Sequence, residues 1–189
     1  MTEDKPTIVF ISTYPPRECG IATFTQDLLF YSQKFLGSNV QCKVAAMNLT
    51  PLDTYTYPPE VEWKIDQNSK KDFLQLAKTI NNNKNITGVI LQHEYGIFGG
   101  IEGENILSFM KNCKKPILVT LHTILPDPNP KMKEVTASII KYAYSLVVLT
   151  QKSKEIVEAI YPDTFGKFQS FPMVYIQLLF QYRRNLRAN

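Results

Sequence analysis

The sequence predicts an α/β fold, a doubly wound, mostly parallel, Rossmann-like sheet in a single domain. Short and almost continuously apolar runs recur along the chain, and longer amphipathic stretches separate them. Strands that are apolar throughout are typical of parallel sheets buried on both faces, because right-handed crossovers place helices on each side. A chain of 189 residues, 44% of them hydrophobic, is also long enough to bury one core by itself.

Each predicted element follows from its hydrophobic period and its boundary residues. Residues 7–12 are apolar throughout, whereas apolar side chains in 22–36 recur every three or four positions. Ser69 can cap the helix that follows it, and Pro162 ends the last helix. The predicted order is strand 7–12, helix 22–36, strand 41–47, loop 49–59, edge strand 61–65, helix 69–82, strand 88–92, helix 102–112, strand 116–122, helix 130–144, strand 146–150 and helix 153–160.

The cysteines and the hydropathy pattern predict a cytoplasmic protein with no transmembrane segment. Cys19, Cys42 and Cys113 are odd in number and show no C-x-x-C spacing, so we expect reduced thiols rather than a disulfide framework or a zinc site. No apolar run reaches the roughly 18 residues that a membrane helix needs. Residues 1–6 are polar, unlike the start of a signal segment.

The distribution of charge predicts that the chain has no nucleic-acid partner. All 17 acidic residues precede Phe168, where 17 Lys and one Arg face them, which leaves a net charge of 18 − 17 = +1. The remaining basic residues are Arg183, Arg184 and Arg187. A nucleic-acid-binding protein usually carries a basic stripe on its folded body, and this sequence concentrates its surplus in the terminal segment.

Three loops follow strands at the carboxyl edge of the sheet, which is where this fold class binds ligands. They are the loops 13–21, 93–103 and 122–130. In the first loop, Gly20 lets the backbone approach a ligand, and free amides at the helix start favour a phosphate or carboxylate. The alternative is a plain turn with Thr23 or Thr25 near a cap, since neither G-x-G-x-x-G nor a P-loop motif is present.

The second and third loops carry polar residues suited to acid–base chemistry. His93 or Glu94 can act as acid or base, with a glycine-rich turn and a hydrogen-bonded His as the alternative. His122 stands at the end of the next strand, as a ligand contact or as a structural residue. A metal hydrolase is a third-ranked interpretation, because Ile97 occupies the position of the second His in H-E-x-x-H; we therefore expect no metal ligands.

Taken together, these loops resemble the N-terminal domain of the retaining family 4 glycosyltransferases, which belong to the two-domain GT-B class. The resemblance covers the chain from about Thr7 to Lys167 and is carried by four segments. Segment 14–28 reads Tyr-Pro-Pro-Arg-Glu-Cys-Gly-Ile-Ala-Thr-Phe-Thr-Gln-Asp-Leu, and segment 91–100 reads Leu-Gln-His-Glu-Tyr-Gly-Ile-Phe-Gly-Gly. Segment 119–123 reads Val-Thr-Leu-His-Thr, and segment 125–128 reads Leu-Pro-Asp-Pro. It implies a retaining hexosyltransferase that takes a nucleotide sugar as donor substrate, has no tightly bound cofactor and uses a carbohydrate or another glycosyl acceptor.

The resemblance also implies roles for individual residues. Gly20 and Ile21 would line the cleft beside the donor diphosphate or the acceptor, and His122 would contact the donor sugar. Arg17, the only Arg before Lys167, would meet an anionic group. The substrate-binding residues are then Arg17, Glu94, Tyr95, Gly99, Gly100 and Thr123.

One departure from the family limits what this chain is expected to do. The family holds its nucleotide sugar mainly in a second α/β domain with an E-x7-E motif, which these 189 residues lack. Residues 1–167 would then be an acceptor-side domain that does not transfer sugar alone, followed by an atypical segment, 168–189. A separate donor-binding domain or self-association would supply the missing wall. The alternative is a non-catalytic sugar- or partner-binding module.

The segment after Lys167 is expected to be translated out of frame. Family members continue here with a strand of the type Val-Ile-Pro-His-Gly-Val, whereas this sequence reads Phe-Gln-Ser-Phe-Pro-Met-Val. If each codon starts at the third base of the one before, the code permits Ile or Val, Pro or Ser, Ile or Val when Ser170 is encoded TCN, and an apolar residue. It then permits Pro or Ser, His if Pro172 is encoded CCC, an obligatory Gly from Met173–Val174, and Ile, Val or Leu. The alternative is a genuine basic amphipathic terminus at 175–187 that docks on a partner or a membrane surface.

Overall fold

A six-stranded parallel sheet forms the centre of the computed structural model, which describes residues 5–50, 55–164 and 166–168. The strand order is β3-β2-β1-β4-β5-β6, so the chain winds outward from β1 in one direction and then from β4 in the other. This order confirms the doubly wound, Rossmann-like prediction. The strands are β1 Thr7–Ser12, β2 Gln41–Asn48, β3 Val61–Asp66, β4 Ile86–His93, β5 Ile117–Leu121 and β6 Ser145–Val148.

Helices cover both faces of the sheet, as the apolar strands predict. The helices are α1 Gly20–Leu36, α2 Lys70–Asn82, α3 Ile106–Met110, α4 Pro130–Tyr142 and α5 Gln151–Ile160. On one face, Leu29 of α1 packs in a cluster with Ile8 and Phe10. On the other face, Phe73 of α2 and Ile139 of α4 belong to a larger cluster that includes Val9 and other strand side chains.

Strand β1 shows why the runs are apolar throughout. All six of its residues are buried, and successive side chains enter opposite clusters: Ile8 and Phe10 face α1, whereas Val9 and Ile11 face the other helices. Fully burying an aliphatic side chain of this size contributes about 1.5–3 kcal/mol, so both faces of each central strand stabilise the sheet.

The prediction of a helix at 102–112 is wrong in part. A short 3-10 turn spans Ile101–Gly103, and only the five residues of α3 are α-helical. Glu102 and Gly103 have φ angles of 54° and 74°, which interrupt the right-handed helix. The other predicted elements are present, with ends that shift by at most two residues. Ser69 caps α2 as predicted, since its Oγ accepts a hydrogen bond from the Asp72 amide at 3.2 Å.

The final described residues return to the sheet beside β6. Phe168 forms a parallel bridge with Leu146, and the Leu146 amide donates to the Lys167 carbonyl at 2.9 Å. The segment expected to be out of frame is 168–189, and its residues 169–189 lie outside the described residues. Within the described residues, no helix combines the length and the apolarity that crossing a bilayer requires.

Candidate functional site

The carboxyl ends of β1, β4 and β5 form the candidate site. These strands are neighbours in the sheet although up to about a hundred residues separate them in sequence. The loops that contain Gly20, Glu94 and His122 all leave the sheet at this edge, because every strand is parallel. Strand order reverses beside β1, which is where ligands bind in open α/β sheets.

The loop after β1 ends in a helix cap made by a thiol. Cys19 Sγ accepts a hydrogen bond from the Ala22 amide at 3.3 Å and lies 3.1 Å from Thr13 Oγ1. The cap is therefore Cys19 rather than the threonines considered from the sequence. Thr25 Oγ1 instead donates to the Ile21 carbonyl of its own helix at 2.7 Å and lies 2.8 Å from Ser12 Oγ. The thiol is occupied in a structural contact.

The start of α1 leaves backbone amides open. Gly20 is exposed, and a Cβ built at this position would meet nothing within 4 Å. The amides of Gly20 and Ile21 donate to no acceptor among the described residues. The Ile21 side chain packs against the larger core cluster. Backbone amides of Gly20 and Ile21, and not the side chain of Ile21, are thus presented at the edge of the sheet.

His122 lies between a buried amide and an aromatic ring. Its Nε2 is 2.8 Å from Oε1 of Gln92, which is the last but one residue of β4. The ring of Phe24, on α1, meets the imidazole edge to face with centroids 4.8 Å apart. Burial lowers the pKa of His122, and the nearby carboxylate of Glu94 partly opposes this shift. The neutral imidazole is therefore favoured.

Glu94 and Thr123 join the ends of β4 and β5. Thr123 Oγ1 donates to Glu94 Oε2 at 2.6 Å, and the Tyr95 amide donates to Glu94 Oε1 at 3.0 Å. Both carboxylate oxygens thus already accept a hydrogen bond. Tyr95 itself is turned into the core, where it is 8% exposed and its hydroxyl lies 2.7 Å from Thr136 Oγ1.

Gly99 and Gly100 are required by close packing of their loop. Both have positive φ, at 61° and 67°. A Cβ on Gly99 would lie 2.1 Å from the carbonyl oxygen of Gln67, at the end of β3, and one on Gly100 would lie 2.8 Å from Asn105 Oδ1. The glycines let this loop cross the carboxyl ends of the strands.

The Arg17 side chain forms hydrogen bonds to a residue of β2 and to a residue that directly follows β3. Its Nη1 donates to the Met47 carbonyl, in β2, and to Gln67 Oε1, both at 3.0 Å. The side chain is half-buried, and no partner within the described residues contacts its other guanidinium nitrogens. The cation is held at the same edge of the sheet as Gly20.

His93 is not accessible for acid–base chemistry. It is 1% exposed, its ring stacks on Phe98 at 5.9 Å, and burial, with a smaller contribution from His122, lowers its pKa to about 3. Its side chain enters the sheet face opposite to that of Gln92 because adjacent strand residues alternate. Among the described residues, no three His, Cys, Asp or Glu side chains are grouped as metal ligands.

Sequence reasoning missed Gln92 and Phe24 as parts of the site. Gln92 is fully buried in β4, directly after the apolar residues Ile90 and Leu91. A polar residue near the end of an apolar strand was the available signal. Phe24 looked like one of the core positions of α1, yet it is 36% exposed and contacts the His122 ring.

Two solved structures share the fold of this chain. Both are alpha-glucosyltransferases in complex with UDP and a 13-mer DNA, which contains a central A:G mismatch in one structure and an HMU base in the other. The first aligns with 75% of this chain at 11% identity and a TM-score of 0.50, and the second with 84% at 12% identity and a TM-score of 0.54. This chain covers only 36% and 40% of their lengths.

The prediction that excluded nucleic acid as a partner is wrong, because both of these structures contain DNA. The prediction was drawn from the near-neutral charge of residues 1–167. Net charge is a sum over a domain and does not show where the charges lie. In addition, the aligned region is less than half of each glucosyltransferase. A near-neutral domain of this fold therefore does not exclude DNA binding by the protein that contains it.

Comparison of the sequence with protein-family models and with curated proteins gave no match. The likeness to the two glucosyltransferases consequently rests on the three-dimensional arrangement and shows the fold alone. The chain has a Rossmann-like, glycosyltransferase-like α/β fold.

Proposed function

We propose that this chain is the acceptor-side domain of a nucleotide-sugar-dependent glycosyltransferase of the GT-B class, similar to family 4. The observation that carries the proposal is the convergence of three family-like stretches, 14–28, 91–100 and 119–123, on one edge of the sheet. The fold, which is that of solved alpha-glucosyltransferases, supports it independently of sequence.

The roles proposed for the site follow from the chemistry of its groups. The open amides of Gly20 and Ile21 suit an anionic oxygen of a donor diphosphate or an acceptor, and the Arg17 guanidinium adds a positive charge at the same edge. The neutral imidazole of His122 suits a sugar hydroxyl, which both donates and accepts. Glu94, Thr123 and the loop with Gly99 and Gly100 shape the acceptor side, whereas Tyr95 supports them from the core.

Transfer requires a second wall for the cleft. Sugar transfer depends on fixing the donor and acceptor together and on stabilising charge at the leaving diphosphate, and one domain supplies only part of this. Because the chain covers 36% and 40% of the glucosyltransferases, we propose that a donor-binding domain, on this polypeptide or on a partner, completes the enzyme.

The acceptor class is open between a saccharide and DNA. Polar strand-end groups suit saccharide hydroxyls, and the two solved neighbours were captured with DNA. We further propose that the protein acts in the cytoplasm, which agrees with three free cysteines.

The alternative function is a non-catalytic module that binds sugars without transferring them. The occupied oxygens of Glu94 favour this alternative in one respect, because a carboxylate that already accepts two hydrogen bonds is poorly placed to take a proton from an acceptor.

Equilibrium binding and turnover of UDP-glucose by the purified chain test the proposal. Because the proposal places the donor diphosphate and sugar against Gly20, Ile21 and His122, we expect saturable binding that is weaker than that of a two-domain enzyme. We expect His122→Ala to weaken this binding about 5-fold or more, which corresponds to about 1 kcal/mol for one hydrogen bond. We expect Gln75→Ala, an exposed position on α2, to leave the affinity unchanged. Binding without turnover by the chain alone is expected, and addition of a donor-binding domain that starts transfer supports the enzyme over the module. No saturable binding, or equal binding by His122→Ala, contradicts the proposed site.

A further inference from the structure

Gln92 is a buried polar side chain whose only described hydrogen bond goes to His122. It is 0% exposed in β4, directly after Ile90 and Leu91, which are buried apolar residues. Its Oε1 lies 2.8 Å from His122 Nε2. Its Nε2 is buried and has no hydrogen-bond partner among the residues that the structure describes.

This arrangement costs free energy that an apolar residue would avoid. A buried amide group without a partner loses the hydrogen bonds that water gave it in the unfolded chain. The bond to His122 is the interaction that offsets this cost among the described residues. The contact therefore identifies what Gln92 does in this fold.

The chemistry of the contact fixes the direction of the imidazole. The Gln92 amide presents its oxygen to His122, and because an amide oxygen can only accept a hydrogen bond, this orientation assigns the hydrogen to His122 Nε2. In a neutral imidazole the other nitrogen, Nδ1, then holds a lone pair. No described residue forms a hydrogen bond with Nδ1, and Phe24 packs edge to face against the ring at 4.8 Å.

The strand register explains why the two side chains meet. Gln92 pairs with Thr120 across β4 and β5, and His122 follows Thr120 by two residues. Alternation along a strand places residues two apart on the same face, so Gln92 and His122 both face the α1 side of the sheet. His93 pairs with Leu121 and faces the opposite side.

We propose that Gln92 is a positioning residue that holds His122 with Nε2–H directed inward and Nδ1 directed outward as the acceptor for a sugar hydroxyl. Gln92 does not touch the ligand itself, because its side chain is fully buried. The identity of the ligand rests on the proposed function, whereas the orientation of the ring does not. Burial, which favours the neutral imidazole, is consistent with this assignment.

Nitrogen-resolved NMR of the full chain tests the orientation directly, because the protein has only two histidines. We expect the His122 imidazole to carry its proton on Nε2, to exchange that proton slowly with water, and to show a nuclear Overhauser contact between it and the Gln92 side chain. The His122→Ala variant assigns the signals. A His122 proton on Nδ1, or an Nε2 proton that exchanges as fast as in an unstructured peptide, overturns the proposal.

Three substitutions at one position separate positioning from packing. Gln92→Leu removes the acceptor and fills the strand with an apolar side chain, so we expect a folded chain that has lost the slowly exchanging Nε2 proton. Gln92→Asn keeps the amide but is one methylene too short, and we expect the same loss. Gln92→Glu keeps an acceptor oxygen at the same reach and is expected to restore the signal. Retention of the protected proton in a folded Gln92→Leu chain overturns the proposal.

A double-mutant cycle connects the orientation to binding, with UDP-glucose as the probe. We expect Gln92→Leu to weaken binding about 5-fold in the wild-type background and to have no effect in the His122→Ala background, because residues that act through one another are not additive. Equal effects in both backgrounds would contradict action through His122. If UDP-glucose does not bind the wild-type chain, the proposed function fails, while the NMR experiment still decides the orientation.

Discussion

At the residue scale, β4 ends in two buried polar side chains with different consequences. Gln92 forms a hydrogen bond to the candidate site. His93 instead stacks on Phe98 and meets the Tyr95 ring edge to face, and its Nε2 has no hydrogen-bond partner among the described residues. Neighbouring strand residues point to opposite faces, so two adjacent polar residues do not form one site. One belongs to the site, and the other makes the fold sensitive to acid.

We expect His93 to make stability depend on pH. Its folded pKa is about 3, because of burial first and the charge of His122 second, against an ordinary value of 6.5. As the pH falls below 6.5, His93 binds a proton in the unfolded chain but stays neutral in the folded chain. The free energy of unfolding therefore decreases between about pH 6.5 and pH 3. From pH 7.5 to pH 5 this linkage amounts to about 2 kcal/mol, measured by urea unfolding.

The His93→Phe variant is the control for this prediction. It replaces the titrating ring with an apolar ring in an aromatic cluster, so the loss between pH 7.5 and pH 5 should shrink by about 2 kcal/mol. The smaller contribution of His122, whose pKa is also lowered, should remain. An unchanged pH dependence in a folded His93→Phe chain would count against the buried neutral state of His93.

A pair of glycine substitutions tests the loop after β4. Gly99→Ala should destabilise the chain by more than about 2 kcal/mol, because the new Cβ would lie 2.1 Å from the Gln67 carbonyl oxygen at a φ of 61°. Gly96→Ala, three residues earlier, meets nothing within 4 Å and should stay within about 0.5 kcal/mol of the wild type. Thermal unfolding measures both, and similar effects of the two substitutions would refute the close packing.

At the scale of single elements, the cap of α2 was predictable, whereas the cap of α1 and the interruption near Glu102 were not. Ser69 was identified from its residue type and position, and it caps α2. The break near Glu102 was missed because a left-handed backbone at a charged residue depends on how the loop packs. In this loop the backbone of Gly103 approaches the Tyr95 carbonyl closely. The Cys19 cap of α1 was missed because a thiol is not a usual cap.

Two serines in helices should respond to alanine with opposite signs. Ser69→Ala removes the cap of α2 and should cost about 1 kcal/mol. Ser32→Ala should be neutral or stabilise by up to about 1 kcal/mol, since the buried Ser32 hydroxyl in α1 has no partner in the described part of the chain and alanine favours helix. Urea unfolding of the two variants decides this, and a loss of stability in Ser32→Ala would show that its hydroxyl is bonded.

At the scale of the whole molecule, the topology was predictable and the contacts within the site were not. Alternating apolar runs and amphipathic stretches predicted a parallel sheet, and the parallel sheet predicted which loops share an edge. The Gln92–His122 and Glu94–Thr123 contacts depend on the register between β4 and β5, which no local pattern reveals. The exclusion of nucleic acid failed because it treated net charge as a property of the whole functional protein.

Sequencing of the gene tests the reading frame after Lys167. We expect the shifted frame to encode a strand of the type Val-Ile-Pro-His-Gly-Val and, further on, an E-x7-E motif, because the Met173–Val174 codons force a glycine in that frame. A shifted frame that soon stops, with no such motif, would favour a genuine basic terminus.

The most direct test of the proposed glycosyltransferase site is an NMR titration of the isotope-labelled chain with UDP-glucose. The account predicts saturable shifts at the His122 imidazole and at the Gly20 and Ile21 amides, while the buried His93 imidazole serves as an internal reference that does not shift. The same titration with a 13-mer DNA shows whether nucleic acid reaches this edge of the sheet. Saturable shifts confined to other surfaces, or none at His122 at saturating UDP-glucose, would contradict the account.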